Sequence, residues 1–280
     1  MIIILLIFLL VILLLIQLQK STEAFENYNL PKIVWSYWDS ELPTQIQQFV
    51  KHNTKVLKGW KYIVVTKENE STYINPEDKP NTNKLSIEHY SDWVRLYLLK
   101  NYGGVWMDIS IILNESLDEF YNQSIVVDSE LSGFRGKHFE TTDIPVIENW
   151  FIMAPRGSEV IQLWLEEFEK AIDMGFLAYK KEALKNDVNF QNIFGKSMRE
   201  VYLTQHGCLQ VVLQKRLARE PSMYLEDAVD SMFKIHDECK WDKTCLHKKI
   251  NDFTYSKNIP YIKLRGSDRK GLDLALYFDN

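Results

Sequence analysis

The sequence predicts an α/β protein with a single open, mostly parallel β-sheet, flanking helices and an apolar segment in front of it. Short β-branched and aromatic runs alternate with longer helical stretches, which is typical of strand–helix–strand units. The chain has 280 residues, of which 46% are hydrophobic and 25% charged, an ordinary globular composition. About 260 residues follow the first twenty, enough for one sizeable α/β domain but few for two.

The N-terminus is an unbroken apolar run from residue 1 to residue 16. As a helix it spans roughly 24–27 Å, close to the ~30 Å hydrocarbon core of a bilayer. It has neither the basic start nor the small-x-small cleavage site of a removed signal peptide. We therefore expect a single-pass transmembrane signal anchor over residues 1–18 in contact with the lipid bilayer, a stem over 19–31 and one domain over 32–280.

The first half of the domain is expected to begin with a strand, a helix and a second strand. Residues 32–38 and 60–65 have strand-like composition, and residues 43–57 between them have a helical pattern. Residues 70–85 are rich in Pro, Asn, Asp and Lys, which indicates an exposed connection. Trp35, in the middle of the first strand, is expected in the core.

One segment of this half is the most informative part of the chain. Asp92 and Arg95 are three positions apart, so on a helix they share one face. Gly103 and Gly104 end that helix, and a short apolar strand then leads to Asp108. The carboxyl end of a strand is where open α/β sheets place ligands. If Asp108 belongs to such a site, its side chain should face solvent at the strand end, and Asp108→Asn should change stability by no more than ~0.5 kcal/mol. The alternative is a surface helix pair followed by a strand-end turn residue.

This segment resembles the signature of the DXD-type retaining glycosyltransferases of the capsular polysaccharide synthesis and glycosyltransferase sugar-binding group, which includes the yeast-type initiating mannosyltransferases. In that group a Ser-Asp-x-x-Arg helix precedes Gly-Gly-x-(aromatic)-x-Asp-x-(Asp/Ser/Thr). The positions in register are Ser91, Asp92, Arg95, Gly103, Gly104, Trp106, Asp108 and Ser110. The resemblance implies a GT-A-like nucleotide-diphospho-sugar transferase fold. It also implies transfer of a sugar from a nucleotide-sugar donor to a glycan or other hydroxyl acceptor, with retention.

The same resemblance implies roles for single residues. Asp92, Arg95 and Asp108 form the expected catalytic set: the first two hold the donor, and Asp108 contacts the ribose and a metal ion. A divalent cation, Mn²⁺ or Mg²⁺, would neutralise the diphosphate through oxygen ligands. Ser110 takes the position of the usual direct ligand, and its neutral hydroxyl leaves metal dependence open. His206 is a further metal or acceptor contact, or else a structural histidine.

Two more segments resemble the family and nominate donor-binding residues. The run at residues 32–38 is similar to the family's opening strand, whose terminal ring stacks on the donor base. This nominates Trp38, with Tyr37 as the second choice and a core position as the alternative. Asn149 begins an Asn-x-Phe-x-x-Ala-x-x-Gly run and would reach the transferred sugar, or else cap a turn.

The second half is expected to continue the alternation of strands and helices. Strands are predicted at residues 131–135 and 150–154, and Ser158 is expected to cap the helix that follows. Residues 171–205 have a helical, charged pattern and are the natural place for acceptor contacts. Another helix is expected to open at residues 202–208.

The cysteines leave two interpretations open. Cys239 and Cys245 bracket a short polar loop that could close as a disulfide in an oxidising compartment. His236 and His247 flank them, so a zinc site is the alternative. Cys208 is then left as a buried apolar residue.

Three basic residues near the C-terminus, Arg265, Arg269 and Lys270, could close over a diphosphate or belong to a solvated loop. The net charge of −5 and the lack of a long basic run argue against nucleic acid as a partner. Family resemblance favours a type II orientation with the domain in the ER or Golgi lumen of a eukaryotic host, although Lys20 mildly opposes it. Ser110 also motivates a rival function, a catalytically silent, membrane-tethered protein that binds glycans or nucleotide sugars.

Overall fold

The computed structural model describes residues 30–194, 199–272, 274 and 277–278. The expected anchor at residues 1–18, and the stem up to residue 29, lie outside the described residues. None of the helices in the described ranges has both the length and the apolar composition of a membrane span.

The predicted strands are found in both halves of the domain, although β6 begins earlier than predicted and β7 was not predicted. In chain order they are β1 (Ile33–Tyr37), β2 (Lys61–Val65), β3 (Gly104–Met107), β4 (Ile111–Leu113), β5 (Leu131–Arg135), β6 (Ile147–Ala154), β7 (Met223–Asp227) and β8 (Tyr261–Lys263). The described part contains a six-stranded sheet in the order β2-β1-β3-β6-β5-β7 and a separate two-stranded sheet of β4 and β8. This second sheet is not predicted from the sequence.

The described part of the chain forms eleven α-helices. They are α1 (Thr44–Val56), α2 (Ile87–Tyr102), α3 (Asp118–Val126), α4 (Glu159–Met174), α5 (Phe176–Lys185), α6 (Arg199–Tyr202), α7 (Thr204–Val211), α8 (Lys234–Glu238), α9 (Lys243–Asn251), α10 (Phe253–Ser256) and α11 (Gly266–Arg269). The π-helical turn Val212–Arg216 extends α7. The connection at residues 70–85 contains three short 3₁₀ turns. It was expected to be exposed, but the side chain of Ile74 within it is completely buried.

Strand directions decide which chain segments meet at one edge of the large sheet. β1 is parallel to β2 and β3, and β5 is parallel to β7. β6 is antiparallel to both of its neighbours, β3 and β5. The sheet is therefore mostly parallel, as predicted, with one reversed strand. As a consequence, the carboxyl ends of β1, β3 and β5 lie beside the first residues of β6.

The reversed strand also corrects a local expectation. β6 begins at Ile147, three residues before the predicted strand at 150–154. Asn149 therefore lies inside a strand and does not cap a turn. The predicted cap at the end of this region is confirmed, because the amide of Ile161 donates to Ser158 Oγ at 3.2 Å.

The double glycine between α2 and β3 is required by close backbone contacts. Gly103 and Gly104 have φ values of +68° and +98°. A Cβ on Gly103 would lie 2.5 Å from the Arg156 amide nitrogen, and one on Gly104 would lie 2.5 Å from the Ile33 carbonyl oxygen. Because backbone atoms form both contacts, a side chain at either position would push the strand away from its neighbour. The two glycines thus determine the backbone path from the end of α2 into β3.

The core covers both faces of the large sheet. On one face α2 and α4 bury three tryptophans with the strands, Trp35, Trp93 and Trp164. Cys208 is fully buried in the same cluster, as expected. On the other face Phe134, Phe151 and Trp150 pack together. Trp35 is 2% exposed, which confirms its predicted core position.

Candidate functional site

A cleft of about 430 Å³ opens at the edge where β1, β3 and β5 end and β6 begins. The residues nominated from the sequence all line it: Tyr37, Trp38, Asp92, Arg95, Asp108, Ser110, Asn149 and His206. Arg265 and Arg269 line it too, whereas Lys270 does not. Strand direction explains this convergence, since each nominated segment reaches the same edge of the sheet.

Asp92 and Arg95 form a buried ion pair. Asp92 Oδ1 lies 2.8 Å from Arg95 Nη1, and the residues are 6% and 5% exposed. The alternative of a surface pair is therefore wrong. Burial raises the pKa of Asp92 above its usual value, although the charge of Arg95 works in the opposite direction. The pair sits on the helix face that points into the cleft.

Gln205, which the sequence analysis missed, connects this pair to β6. Gln205 Oε1 accepts from Arg95 Nη1 at 3.0 Å and from Asn149 Nδ2 at 2.7 Å. Its Nε2 donates to the Asp92 carbonyl oxygen at 2.5 Å. Asn149 Nδ2 also donates to Asp92 Oδ1 at 3.1 Å. The amide thus holds the charged pair in one orientation from α7, and no local pattern around residue 205 signals this.

Asp108 follows β3 and is held by three side chains. Its Oδ1 accepts from Trp106 Nε1 at 3.1 Å and lies 3.5 Å from Arg95 Nη2, while Oδ2 accepts from Lys263 Nζ at 2.9 Å. Its side chain is 29% exposed and both oxygens accept hydrogen bonds, so the expected solvent-facing position is wrong, and Asp108→Asn should cost more stability than the ~0.5 kcal/mol expected from the sequence. Burial on its own would raise the pKa of Asp108, but the charges of Lys263 and Arg95 hold it below its usual value.

Lys263, also missed from the sequence, completes this part of the cleft. It ends β8, opposite Ile111 of β4, and its side chain is 8% exposed. Its ammonium donates to Asp108 Oδ2 at 2.9 Å, to Ser110 Oγ at 3.2 Å and to the Leu264 carbonyl oxygen at 3.2 Å. Ser110 Oγ donates to the same carbonyl at 2.7 Å. Three oxygens therefore surround the charged group.

The described residues do not assemble the expected metal site of Asp108, Ser110 and His206. Lys263 hydrogen-bonds the first two of them. The carboxylate paired with His206 is instead Glu148, at 3.9 Å. Within residues 30–194, 199–272, 274 and 277–278, no group of three or more His, Cys, Asp or Glu side chains is placed to hold a metal ion. His206 is 4% exposed, and neither ring nitrogen has a hydrogen-bond partner among these residues.

The aromatic residues at the end of β1 form one wall of the cleft. Trp38 is half-buried, and the Arg269 guanidinium lies 5.8 Å from its ring centroid. Arg269 Nε is buried and has no hydrogen-bond partner in the described part of the chain. Tyr37 is 7% exposed and packs edge-on against Tyr90, and its burial raises the pKa of the phenol. Trp38 is thus the more accessible of the two nominated rings.

The cysteine loop forms the rim of the cleft. Cys239 and Cys245 are joined in a disulfide. His236 Nε2 hydrogen-bonds Asp268 Oδ2 at 2.9 Å, and His247 Nε2 hydrogen-bonds the Asp268 carbonyl oxygen at 2.7 Å. With all four side chains so engaged, the alternative zinc site is not formed.

The disulfide loop presents Trp241 at the cleft. Trp241 has a φ of +63° and is 40% exposed. Its ring stacks under the Arg265 guanidinium at 4.9 Å, and Arg265 is itself bound to Asp268 at 2.9 Å. Tyr202 lines the cleft as well and is 57% exposed. The cleft therefore has a charged floor and exposed aromatic residues.

Several solved glycosyltransferases show a remote similarity to this chain. A glycosyltransferase involved in the glycosylation of the major capsid of PBCV-1 has a TM-score of 0.41 and 10% identity, covering 85% of this chain and 95% of that one. The glycosyltransferase GlyE of Streptococcus pneumoniae has a TM-score of 0.44 and 8% identity, covering 86% and 56%. These TM-scores are below 0.5, so they do not establish a shared fold.

Two fungal proteins are similar in sequence. "Glycosyltransferase afumC" of Aspergillus fumigatus is 36% identical over 89 residues, 31% of this chain and 22% of that protein. "O-glycosyltransferase braB" of Annulohypoxylon truncatum is 29% identical over 161 residues, 51% of this chain and 38% of that protein. The chain thus matches well under half the length of either relative. Residues 14–261 match the family described as "Capsular polysaccharide synthesis protein", and the chain therefore belongs to that family.

Proposed function

We propose that this protein is a membrane-anchored, GT-A-type glycosyltransferase that transfers a sugar from a nucleotide-sugar donor to a hydroxyl acceptor, with retention of configuration. The observation that carries the proposal is the convergence of Asp92, Arg95 and Asp108 in one cleft at the carboxyl edge of the sheet. Open α/β sheets bind nucleotide ligands at this edge. Family membership and the two fungal glycosyltransferase relatives support the same activity.

The charges and rings of the cleft favour one orientation of the donor along it. Its diphosphate belongs near Arg95, Lys263 and Arg269, because guanidinium and ammonium groups are good partners for phosphate oxygens. Its base belongs at the Trp38 wall. The sugar then lies towards Asp92 and Asn149, whose polar atoms suit sugar hydroxyls.

The proposed reaction breaks the bond between the sugar C1 and the diphosphate oxygen and forms a bond from C1 to the acceptor oxygen. The acceptor proton passes to the leaving diphosphate, which departs as a nucleoside diphosphate. On this front-face route the protein orients the two substrates and stabilises the charge that develops on the leaving group. No nucleophilic side chain is required.

The acceptor is proposed to enter along the exposed aromatic rim. Tyr202 and Trp241 offer large, partly exposed ring faces next to the donor site. Such rings combine an apolar face with a polar handle, which suits a glycan that is apolar on its ring faces and polar at its edges. A glycan acceptor is therefore favoured over a small hydroxyl compound.

The anchor and the compartment are part of the proposal. The apolar run at residues 1–16 supports insertion of residues 1–18 in a bilayer as a single-pass anchor. The Cys239–Cys245 disulfide supports an oxidising compartment for the domain, since such bonds persist there. Together they favour a type II protein with the cleft on the luminal side. Protease protection of the tagged chain in microsomes would test this orientation.

The experiment that tests the activity uses the full chain in detergent and a panel of nucleotide sugars. Slow donor hydrolysis without acceptor is expected for at least one donor, measured as release of nucleoside diphosphate. Asp92→Asn should abolish it. The matched control is Asp128→Asn, an exposed carboxylate beyond the opposite edge of the sheet. Donor binding by calorimetry without any turnover would instead support the silent binding protein, and no binding at all would refute both.

A further inference from the structure

We infer that Lys263 supplies, from within the chain, the positive charge that a divalent cation would bring to the donor diphosphate, so that turnover is independent of metal ions. The inference rests on the proposed function. The family resemblance implies a divalent cation, but the side chains at the expected position do not form a site for one. The two positions that should bind the metal, Asp108 and Ser110, both bind the ammonium group of Lys263.

The contacts of Lys263 are those of a cation in an oxygen cage. A lysine ammonium has three N–H donors, and the three partners are a carboxylate, a hydroxyl and a backbone carbonyl, at 2.9, 3.2 and 3.2 Å. Hard divalent cations use these same kinds of oxygen ligand. A second, doubly charged ion cannot share the cage, because the ammonium already takes its oxygens and would repel it.

The residue at position 110 is consistent with this arrangement. Ser110 Oγ accepts from Lys263 while donating to the Leu264 carbonyl oxygen at 2.7 Å. A hydroxyl can do both at once, whereas an ionised carboxylate only accepts. A second carboxylate beside Asp108 would also place two negative charges next to the single positive charge of Lys263. A hydroxyl side chain at this position therefore fits a lysine-centred site, whereas a carboxylate would not.

The fold holds Lys263 in place. Lys263 ends β8, whose pairing with β4 sets Lys263 opposite Ile111. The Leu264 amide donates to the Ser110 carbonyl oxygen at 3.2 Å, which continues this pairing next to the cage. The side chain is 8% exposed and lines the cleft beside Asp108. The ammonium is therefore presented to a donor at a fixed point, without recruitment of an ion from solution.

The test compares donor hydrolysis by the full chain in EDTA and in millimolar Mn²⁺. We expect equal rates, within about twofold, for the unmodified protein. Lys263→Met should lower the rate in EDTA by at least about 100-fold, a loss of about 2.7 kcal/mol of transition-state stabilisation. Lys263→Arg, which keeps the charge, should retain more activity than Lys263→Met. Lys58→Met, an exposed lysine between α1 and β2, is the matched control and should behave as the unmodified protein.

A second measurement does not depend on activity. Titration of Mn²⁺ with the protein, with and without UDP or GDP, is followed by the electron paramagnetic resonance signal of free Mn²⁺. We expect the unmodified protein not to reduce this signal beyond what the nucleotide alone does. Tight Mn²⁺ binding at the cleft, lost in Asp108→Asn, would overturn the inference even if Lys263→Met fails to fold.

The two proposals fail in different ways. Hydrolysis that stops in EDTA and returns with Mn²⁺ would refute the role of Lys263 and leave the glycosyltransferase intact. Absence of hydrolysis with every donor, in both buffers, would refute the enzyme, and the Mn²⁺ titration would still decide what occupies the oxygen cage.

Discussion

Asp108→Asn removes one negative charge from the cleft while keeping the size of the side chain. In the folded protein that charge faces Lys263 Nζ at 2.9 Å and Arg95 Nη2 at 3.5 Å. Removing one member of a fully buried ion pair costs about 3–5 kcal/mol. Asp108 is 29% exposed, so solvent screens part of this interaction. We therefore expect a loss of roughly 1–3 kcal/mol in the free energy of unfolding.

Activity should fall further than stability. Asp108 orients the cations that face the leaving diphosphate, and loss of such a charge contact typically costs at least about 100-fold in turnover. For a domain of this size each kcal/mol lowers the melting temperature by about 2–4 °C. The variant should thus remain folded at 25 °C while donor hydrolysis is almost abolished.

The effect on stability should depend on pH in one direction. The pKa of Asp108 is lowered in the folded state, burial being outweighed by Lys263 and Arg95. A carboxyl with a lowered folded pKa stabilises the protein fully above its unfolded pKa of about 4, and this contribution is lost as the pH falls through the folded pKa. The difference in stability between the unmodified protein and Asp108→Asn should therefore be largest near pH 7 and shrink below about pH 4.

Urea unfolding at several pH values and nucleoside diphosphate release at pH 7 measure the two effects. Asp128→Asn is the control and should change neither. Normal activity in a stably folded Asp108→Asn variant would place the reaction elsewhere. A stability difference that grows as the pH falls would show that the pKa of Asp108 is not lowered, and the described charge pairing would then be wrong.

Two further predictions concern the scaffold of the site. Gly104→Ala should cost at least about 2 kcal/mol of stability, because the added Cβ meets the Ile33 carbonyl oxygen at 2.5 Å. Gly59 has a similar φ of +81°, but a Cβ added there would have no atom within 4 Å, so Gly59→Ala should cost less stability. Thermal melting of the two variants therefore distinguishes the effect of the close contact from that of backbone strain. Gln205→Leu removes the acceptor of Arg95 and Asn149 and should cost roughly 2–3 kcal/mol. Donor affinity by calorimetry should fall with it, and unchanged affinity would mean that Gln205 does not orient the pair.

Helical spacing and strand position predicted where Asp92, Arg95 and Asp108 lie, and the family resemblance supplied their roles. Asp92 and Arg95 share one helix face because of their spacing, and Asp108 follows a short strand that begins with glycine. These positions can be predicted from a segment of seventeen residues. Trp38, by contrast, is nominated by the resemblance of residues 32–38 to the family's opening strand. What could be predicted was therefore whatever depends on helix periodicity and on the edge of the sheet at which parallel strands end.

The two site residues missed from the sequence, Lys263 and Gln205, depend on contacts that no local pattern contains. Lys263 reaches Asp108 because β8 pairs with β4, and the two residues are 155 positions apart. Gln205 reaches Arg95 across 110 positions, through the packing of α7 against the core. The reversed direction of β6 likewise depends on its neighbours in the sheet. Such pairings are selected by the whole fold, and one sequence read locally does not show them.

The pairing of β4 with β8 also bears on how the protein folds. The acidic side chains at residues 92 and 108 become available early, as the chain leaves the ribosome, whereas β8 lies more than 150 residues after β3. Closing so long a loop is slow compared with forming local helices. We expect the cage around Lys263 to close last, so the amide of Leu264 should gain protection from hydrogen exchange later than the amides of α2. Up to that moment, of the two cations Arg95 and Lys263, only Arg95 lies beside the carboxylates of residues 92 and 108. The cleft therefore gains the second positive charge that a negatively charged donor needs only when folding is complete.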